Sequence, residues 1–296
     1  MLFSFLVFSC KTTPTGGTFY EGRSGFALMP PGAPLYLMAE VQEVRPILDS
    51  LVLGGMSGGE LKSFLDKSDR LVLAVFNNPG ERHFHAAATG KFPSGGLFFS
   101  TSKDWEKKTS ASGLPYWYSA RSWLAVSLSP KEAFISDVDP FVAPPGATTP
   151  EALSGMQQGA VLSGWMDDPA QALEKLKTAF GLPIEIPAEK FLFAVYPADD
   201  ADGTNKKTKP DGNTRYSASL RFEMPTAAQA AGLVMIFAMA RLGMANADFS
   251  AYKEMEALAR AFFTNSPRQD GSALVLKTGA LSGKELALLF NTISVY

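Results

Sequence analysis

The sequence predicts an α+β fold made of two tandem halves, each with the order strand, helix, strand, strand, helix, strand. Apolar residues make up 46% of the 296 residues and charged residues 19%, so the chain can form a sizeable core. Two strand-like segments share one pattern of a cation, apolar residues, Val and an aromatic: RLVLAVF at 70–76 and KFLFAVY at 190–196. Each is followed by a polar loop and by a second strand-like segment that ends at a proline. The shared order indicates an internal duplication.

The flanking segments complete the same order in each half. Residues 35–41 and 160–165 are short apolar strands that lead into helices, and residues 122–128 match 271–277 as the last strands. This β-α-β-β-α-β order is that of ferredoxin-like domains, in which helices pack on antiparallel sheets. We therefore predict a first α+β repeat at 35–140, a linker at 141–159 and a second repeat at 160–296. Pro144, Pro145 and Pro150 favour the linker, since proline disrupts helices and central strands.

The N-terminus has the outline of a secretory signal peptide. A mainly apolar run at residues 1–8 is followed by Ser9 and Cys10, after which the chain becomes polar. The run is too short to span a bilayer. We predict a signal peptide at 1–9 and a lipidated tether at 10–34, a segment rich in Gly, Pro, Thr and Ser. The alternative is an apolar tail packed on the domain, with Cys10 as a buried thiol.

The segment from Leu6 to Cys10 resembles the lipobox of bacterial lipoproteins. Phe8 stands where the common pattern has a small residue, and no Lys or Arg precedes the apolar run, so the resemblance is to the looser spirochaetal form. The nearest group comprises treponemal lipoproteins that are attached to the outer membrane and carry amphipathic helices. The resemblance implies a fatty acid such as palmitate on Cys10. It also implies a place in the cell envelope, at the periplasmic or surface face of the outer membrane.

Two helical segments in the second half indicate contact with lipid. Residues 224–240 contain no charge, so the helix predicted at 226–243 has no polar face. Such a helix is buried on all sides or lies in lipid. The helix predicted at 248–264 is amphipathic and could cover it. We predict that the pair shields an apolar groove for an acyl chain or swings out to a leaflet, and that adaptable Met235, Met239 and Met244 contribute. The predicted lipid-contact residues are Leu233, Ile236, Phe237, Phe249, Met255 and Phe262.

The sequence contains only weak matches to catalytic or metal-binding motifs. Gly55, Ser57 and Gly59 fit the letters of a nucleophile elbow, but the only histidines, His83 and His85, do not follow late in the chain as a base would. The two histidines share one strand face, which we expect to be solvated, and no third ligand accompanies them. We predict no catalytic residue, metal or cofactor.

Composition also limits the partners. The formal net charge is −2 and no basic tract occurs, which excludes nucleic acid as an expected partner. The predicted function is that of a non-catalytic envelope lipoprotein that contacts lipid through apolar helices. The alternative is a structural or assembly module that binds another envelope protein through a sheet edge or groove.

Overall fold

The computed structural model describes residues 20, 22–50, 58–78, 81–92, 104–111, 113–141, 143–180, 185–198, 210, 213–243 and 253–293. A 3-10 helix at Gly25–Leu28 precedes the first strand. The α-helices of these residues are α1 (Arg45–Leu48), α2 (Gly58–Lys67), α3 (Glu151–Met156), α4 (Ala170–Phe180), α5 (Ala227–Gly243), α6 (Lys253–Phe262) and α7 (Gly283–Ile293). The strands are β1 (Leu35–Glu40), β2 (Ser68–Asn78), β3 (Glu81–Gly90), β4 (Glu106–Thr109), β5 (Pro115–Ser119), β6 (Leu124–Leu128), β7 (Glu132–Ser136), β8 (Leu162–Asp167), β9 (Lys190–Pro197), β10 (Arg215–Glu223), β11 (Arg268–Asp270), β12 (Ala273–Lys277) and β13 (Leu281–Ser282).

The described strands form one continuous antiparallel sheet, so the prediction of two ferredoxin-like halves is wrong. Their order is β11-β12-β10-β9-β8-β1-β2-β3-β7-β6-β5-β4, with β13 beside β10. A ferredoxin-like half would insert its last strand beside its first. Here β1 and β8, the first strands of the two predicted halves, pair with each other. The predicted last strands lie further out: β12, from the segment 271–277, pairs with β10, and β6, from the segment 122–128, pairs with β7.

The sequence pattern shared by β2 and β9 corresponds to equivalent places in this sheet. Each strand lies second from the β1–β8 junction, β2 beside β1 and β9 beside β8. Arg70 of β2 lies opposite Glu40 and forms an ion pair with it at 2.5 Å. Lys190 of β9 lies opposite Asp167 and forms an ion pair with it at 3.1 Å. The leading cation of the pattern thus meets the carboxylate at the end of each central strand.

The helices cover one face of the sheet unevenly. The largest buried apolar cluster joins β8, β9, β10 and β12 to side chains from α1, α2 and α4–α7. Within it the Tyr216 hydroxyl donates a hydrogen bond to the carbonyl of Glu43 at 2.8 Å, which ties β10 to the turn after β1. A Cβ on Gly283 of α7 would lie 2.8 Å from the backbone of Pro46 in α1. These contacts join the two predicted repeats into one packed unit.

The opposite face is covered by segments that were predicted as tether and linker. Phe26, Leu28 and Met29, from the predicted tether, are buried, and so is Leu153 of α3 in the predicted linker. Both predictions followed composition, because Gly and Pro are frequent in these segments. The apolar side chains between them find a place over the β1–β8 junction. The packed region therefore begins before Leu35, and residues 143–159 are part of it.

The β1–β8 junction is closely packed on both faces of the sheet. On one face the rings of Tyr36 and Trp165 stack at 4.2 Å, and Phe26 meets Trp165 edge-on at 4.6 Å. The Tyr36 hydroxyl donates to the carbonyl of Pro30 at 2.8 Å and accepts from the amide of Ala33 at 2.9 Å. On the other face a Cβ on Gly164 would lie 2.2 Å from the Tyr36 carbonyl oxygen and 2.8 Å from the Phe193 ring. Only glycine fits at this position.

We predict that Gly164→Ala destabilises the fold by roughly 3 kcal/mol or more, because backbone must move to admit the methyl group. The matched control is Gly232→Ala in α5, where a Cβ meets nothing within 4 Å. That change should stabilise the fold by about 1 kcal/mol through helix propensity. Urea unfolding of the full chain measures both. Equal midpoints for Gly164→Ala and the unaltered chain would contradict the close approach.

Candidate functional site

Helix α5 presents an apolar surface to solvent. Met235, Met239 and Leu242 are exposed at 66%, 58% and 77% of their surface, among the largest exposures of any apolar side chain described. Smaller exposed residues continue the same stripe toward the N-terminus of the helix at three- and four-residue spacing. We define the α5 outer face as Ala228, Ala231, Gly232, Met235, Ala238, Met239 and Leu242.

The inner face of α5 belongs to the core. Ala230, Leu233 and Phe237 are buried against the sheet, opposite the outer face around the helix. The Phe237 ring stacks on Phe263 with centroids 5.9 Å apart. The helix therefore has one face in protein and one in water, although both faces are apolar. Its sequence alone gives no polar side to distinguish them.

Hydrogen bonds hold both ends of α5. The hydroxyl of Thr226 accepts from the amide of Gln229 at 3.2 Å, as an N-terminal cap does. At the other end the Arg241 guanidinium donates to the carbonyl of Phe263 at 3.2 Å and to the hydroxyl of Ser266 at 2.8 Å. The Arg241 contacts tie the end of α5 to the segment that follows α6, and the outer face is exposed in this arrangement.

The predicted lipid-contact residues separate into three groups. Leu233 and Phe237 are buried, and Ile236 and Phe262 are half-buried against the core. The third group, Phe249 and the Met255 side chain, lies outside the described residues. The same is true of Met244 and of the predicted lipidation site, Cys10. Sequence reasoning named Met235 and Met239 only as adaptable neighbours and did not name Leu242. The signal available was the 3.6-residue spacing of these three residues, which are the bulky members of one helix face.

The apolar cavity beneath α6 and α7 is small. Its volume is about 20 Å³, and its lining includes Phe191, Phe193, Phe222, Phe262 and Phe290. A single water molecule needs about 10–15 Å³ of such space, whereas small-molecule pockets measure roughly 300–1,000 Å³. In this conformation the cavity does not admit an acyl chain.

The two histidines lie on the face of β3 that meets the N-terminal segment. Nδ1 of His83 is 3.3 Å from a carboxylate oxygen of Asp137, whose other oxygen accepts from the amide of Phe84 at 3.0 Å. His85 is buried and packs edge-on against Phe76, so the predicted solvated strand face is wrong for this residue. Burial lowers the pKa of His85, and the nearby Asp137 opposes that shift. Within the described residues no three His, Cys, Asp or Glu side chains form a group suited to a metal ion.

A polar groove of about 440 Å³ lies between α3 and the strands β10–β12. Two of its charged side chains, Arg221 and Asp270, form an ion pair within the groove. The Arg221 guanidinium donates to the Asp270 carboxylate at 2.5 Å and lies 3.4 Å from Glu223. The hydrogen bond from Arg221 lowers the pKa of Asp270. Residues 55–57 of the nucleophile-elbow pattern at 55–59, including Ser57, lie outside the described residues.

No protein-family model matches the chain, and no curated protein matches it. Solved structures do. The chain has the fold of TP0453, a treponemal protein. One crystal form of TP0453 matches with a TM-score of 0.60 at 13% identity, covering 92% of this chain and 98% of TP0453. Two further crystal forms match with TM-scores of 0.58 and 0.56 at 14% identity, covering 91% and 90% of this chain and 98% and 96% of TP0453. At this identity the likeness to TP0453 extends to the fold alone.

Helix α5 is shorter than a helix that crosses a bilayer. Its 17 residues span roughly 25 Å, whereas a crossing helix needs about 20 apolar residues. Across the described part of the chain, no helix combines the length and hydropathy required to span a membrane.

We predict that truncating a side chain to Ala destabilises the fold on the inner face of α5 but hardly changes its stability on the outer face. Phe237→Ala should destabilise the fold by about 3–5 kcal/mol, because it leaves a cavity in the core. Met235→Ala, two residues earlier on the outer face, should change stability by less than about 0.5 kcal/mol. Urea unfolding of both variants tests the orientation of the helix. If Met235→Ala lowered the free energy of unfolding as much as Phe237→Ala does, the assignment of Met235 to the exposed face would be wrong.

Proposed function

We propose that this protein is a non-catalytic lipoprotein of the bacterial cell envelope that contacts membrane lipid through the α5 outer face. The observation that carries the proposal is the exposure of Met235, Met239 and Leu242 on a helix whose opposite face is packed in the core. The treponemal origin of the fold's neighbours agrees with the spirochaetal form of the segment that ends at Cys10.

The chemistry of the α5 outer face suits acyl chains. Its seven residues carry no charge and no hydrogen-bonding side chain, so their contact with lipid leaves no polar group unsatisfied. Removing a side chain such as Met or Leu fully from water contributes roughly 1.5–3 kcal/mol. Three exposed side chains of this size can therefore support measurable binding. Met is unbranched and adapts to an irregular apolar partner.

The position of Arg241 agrees with a helix that lies along the membrane surface. Arg241 is the only charged residue of α5 and follows the outer-face residue Met239 by two positions. Its guanidinium bonds to Phe263 and Ser266 on the protein side. It therefore stays out of the acyl region when the outer face enters lipid. Interfacial helices of this kind lie about 5–10 Å into the boundary between headgroups and acyl chains.

Contact through the outer face requires no opening of the core. Exposing Phe237 instead would break its packing on Phe263 and the bonds of Arg241. The loss of a packed Phe side chain costs about 3–5 kcal/mol in typical cores. Lipid would have to compensate that cost before any net binding resulted. The outer face meets lipid with the fold intact.

A lipid anchor at Cys10 would make even weak contact effective. A single acyl chain gives only marginal membrane binding, and stable attachment needs a second signal. Once the anchor holds the chain at a membrane, binding of the α5 outer face becomes an intramolecular event with a high effective concentration. In cells, Cys10→Ala should abolish fatty-acid labelling of the chain.

We predict that the full chain carrying Cys10→Ala still floats with phospholipid vesicles. Adding Met235→Gln, Met239→Gln and Leu242→Gln should reduce the bound fraction at least about fivefold, because polar amides disfavour transfer into lipid. The melting temperature should move by no more than about 2 °C, since the three side chains are exposed.

The matched control is Ala257→Gln, an exposed position on α6 outside the α5 outer face. This change should leave flotation unaltered. Equal flotation of the triple variant and the control would overturn lipid contact through α5.

A further inference from the structure

The turn between β5 and β6 carries an exposed tryptophan in an unfavourable backbone conformation. Residues 120–123 connect the paired Ser119 and Leu124. Trp123 is exposed over 71% of its surface and has a φ angle of +54°. This left-handed conformation suits Gly, Asn or Asp and is rare for a bulky aromatic residue.

Among the described residues, the fold shows no contact that accounts for tryptophan at this position. The turn already has a local hydrogen bond, from the amide of Ser122 to the hydroxyl of Ser119 at 3.2 Å. The Trp123 ring faces mainly water, so its packing does not compensate for the backbone. A residue that weakens the fold while exposing a large apolar ring indicates a role outside folding.

The turn and the nearby strands β4 and β5 carry aromatic, cationic and acidic side chains. The Arg121 side chain, on the same turn, is exposed over 81% of its surface and lies 3.3 Å from Asp104. On β4, Lys108 lies over the Tyr118 ring at 4.2 Å and 3.7 Å from Glu106, and Lys107 is exposed. Surface ion pairs of this kind are weak, so these cations remain able to contact other anions.

We propose that the β5–β6 turn inserts Trp123 into the interfacial zone of a phospholipid membrane, where Arg121 contacts lipid phosphate. Tryptophan favours this zone because its ring is apolar while its N–H can still hydrogen-bond. One ring buries about 150–250 Å², whereas a specific protein interface buries at least about 1,000 Å². A single exposed ring on a tight turn thus fits lipid better than a docked protein.

This contact is separate from α5. The strands β5 and β6 lie near one end of the sheet, and β11 and β12, on which α5 packs, lie at the other. The inference rests on the proposed function only in that the chain must meet a membrane. Neither Cys10 nor the α5 outer face takes part in it.

The experiment measures tryptophan emission of the full Cys10→Ala chain with vesicles of phosphatidylcholine and phosphatidylglycerol. Subtracting the spectrum of Trp123→Phe isolates Trp123 from Trp105, Trp117 and Trp165. The isolated emission should shift to shorter wavelength on adding vesicles and should be quenched by brominated lipid. An unchanged Trp123 emission at saturating lipid overturns the inference.

A second variant, Trp123→Asn, separates binding from stability. Asn accepts the left-handed backbone, so the melting temperature should rise by about 2 °C or more, while vesicle affinity should fall about tenfold. Unchanged affinity overturns the inference. The same emission measurement in the Met235→Gln, Met239→Gln, Leu242→Gln background tells the two proposals apart. A shift that persists there supports Trp123 insertion even if α5 contact fails, and loss of flotation without any Trp123 shift supports α5 alone.

Discussion

The antiparallel pairing of β1 with β8 is the constraint on which the rest of the structure depends. It joins the first strands of two similar segments, so neither strand has a free edge for the last strand of its own segment. Each segment therefore extends outward and a single long sheet results. The pairing is held by the Tyr36–Trp165 stack on one face and by the close approach at Gly164 on the other. Because β12 pairs outside β10, the helix α5 lies at one end of the sheet with an open side.

The sequence contained more information about strands than about their partners. The patterns at 70–76 and 190–196 lie in equivalent strands, each with its leading cation opposite a carboxylate of a central strand. Strand order could not be predicted, because β1 and β8 are more than a hundred residues apart and no short-range signal specifies their pairing. Composition also misplaced the edges of the fold. Phe26 and Met29 lie among Gly and Pro residues, yet both are buried.

The candidate site, too, could be predicted only in part from the sequence. A helix without a polar face gives no periodicity from which to choose its buried side, so Leu233 and Phe237 were as plausible for lipid contact as Met235 and Leu242. The helix predicted at 248–264 is amphipathic, so its buried side was simpler to predict, and Leu258 and Ala259 on the apolar side of α6 are buried. For Trp123 the sequence left two places open, a membrane-interface belt or the core, and favoured the core because aromatic side chains bury large areas there. Its exposure follows from the four-residue connection between β5 and β6.

The central claim is that α5 remains on the sheet while its outer face enters lipid. Spin labels at Met235→Cys, Met239→Cys and Leu242→Cys, each in the Cys10→Ser full chain, test this most directly, with Ala257→Cys on α6 as the control. On addition of vesicles, the three α5 labels should become protected from a water-soluble relaxing agent and more accessible to oxygen, while the control label stays in water. Labels on α5 that remain as accessible to the aqueous agent as the control would contradict the account.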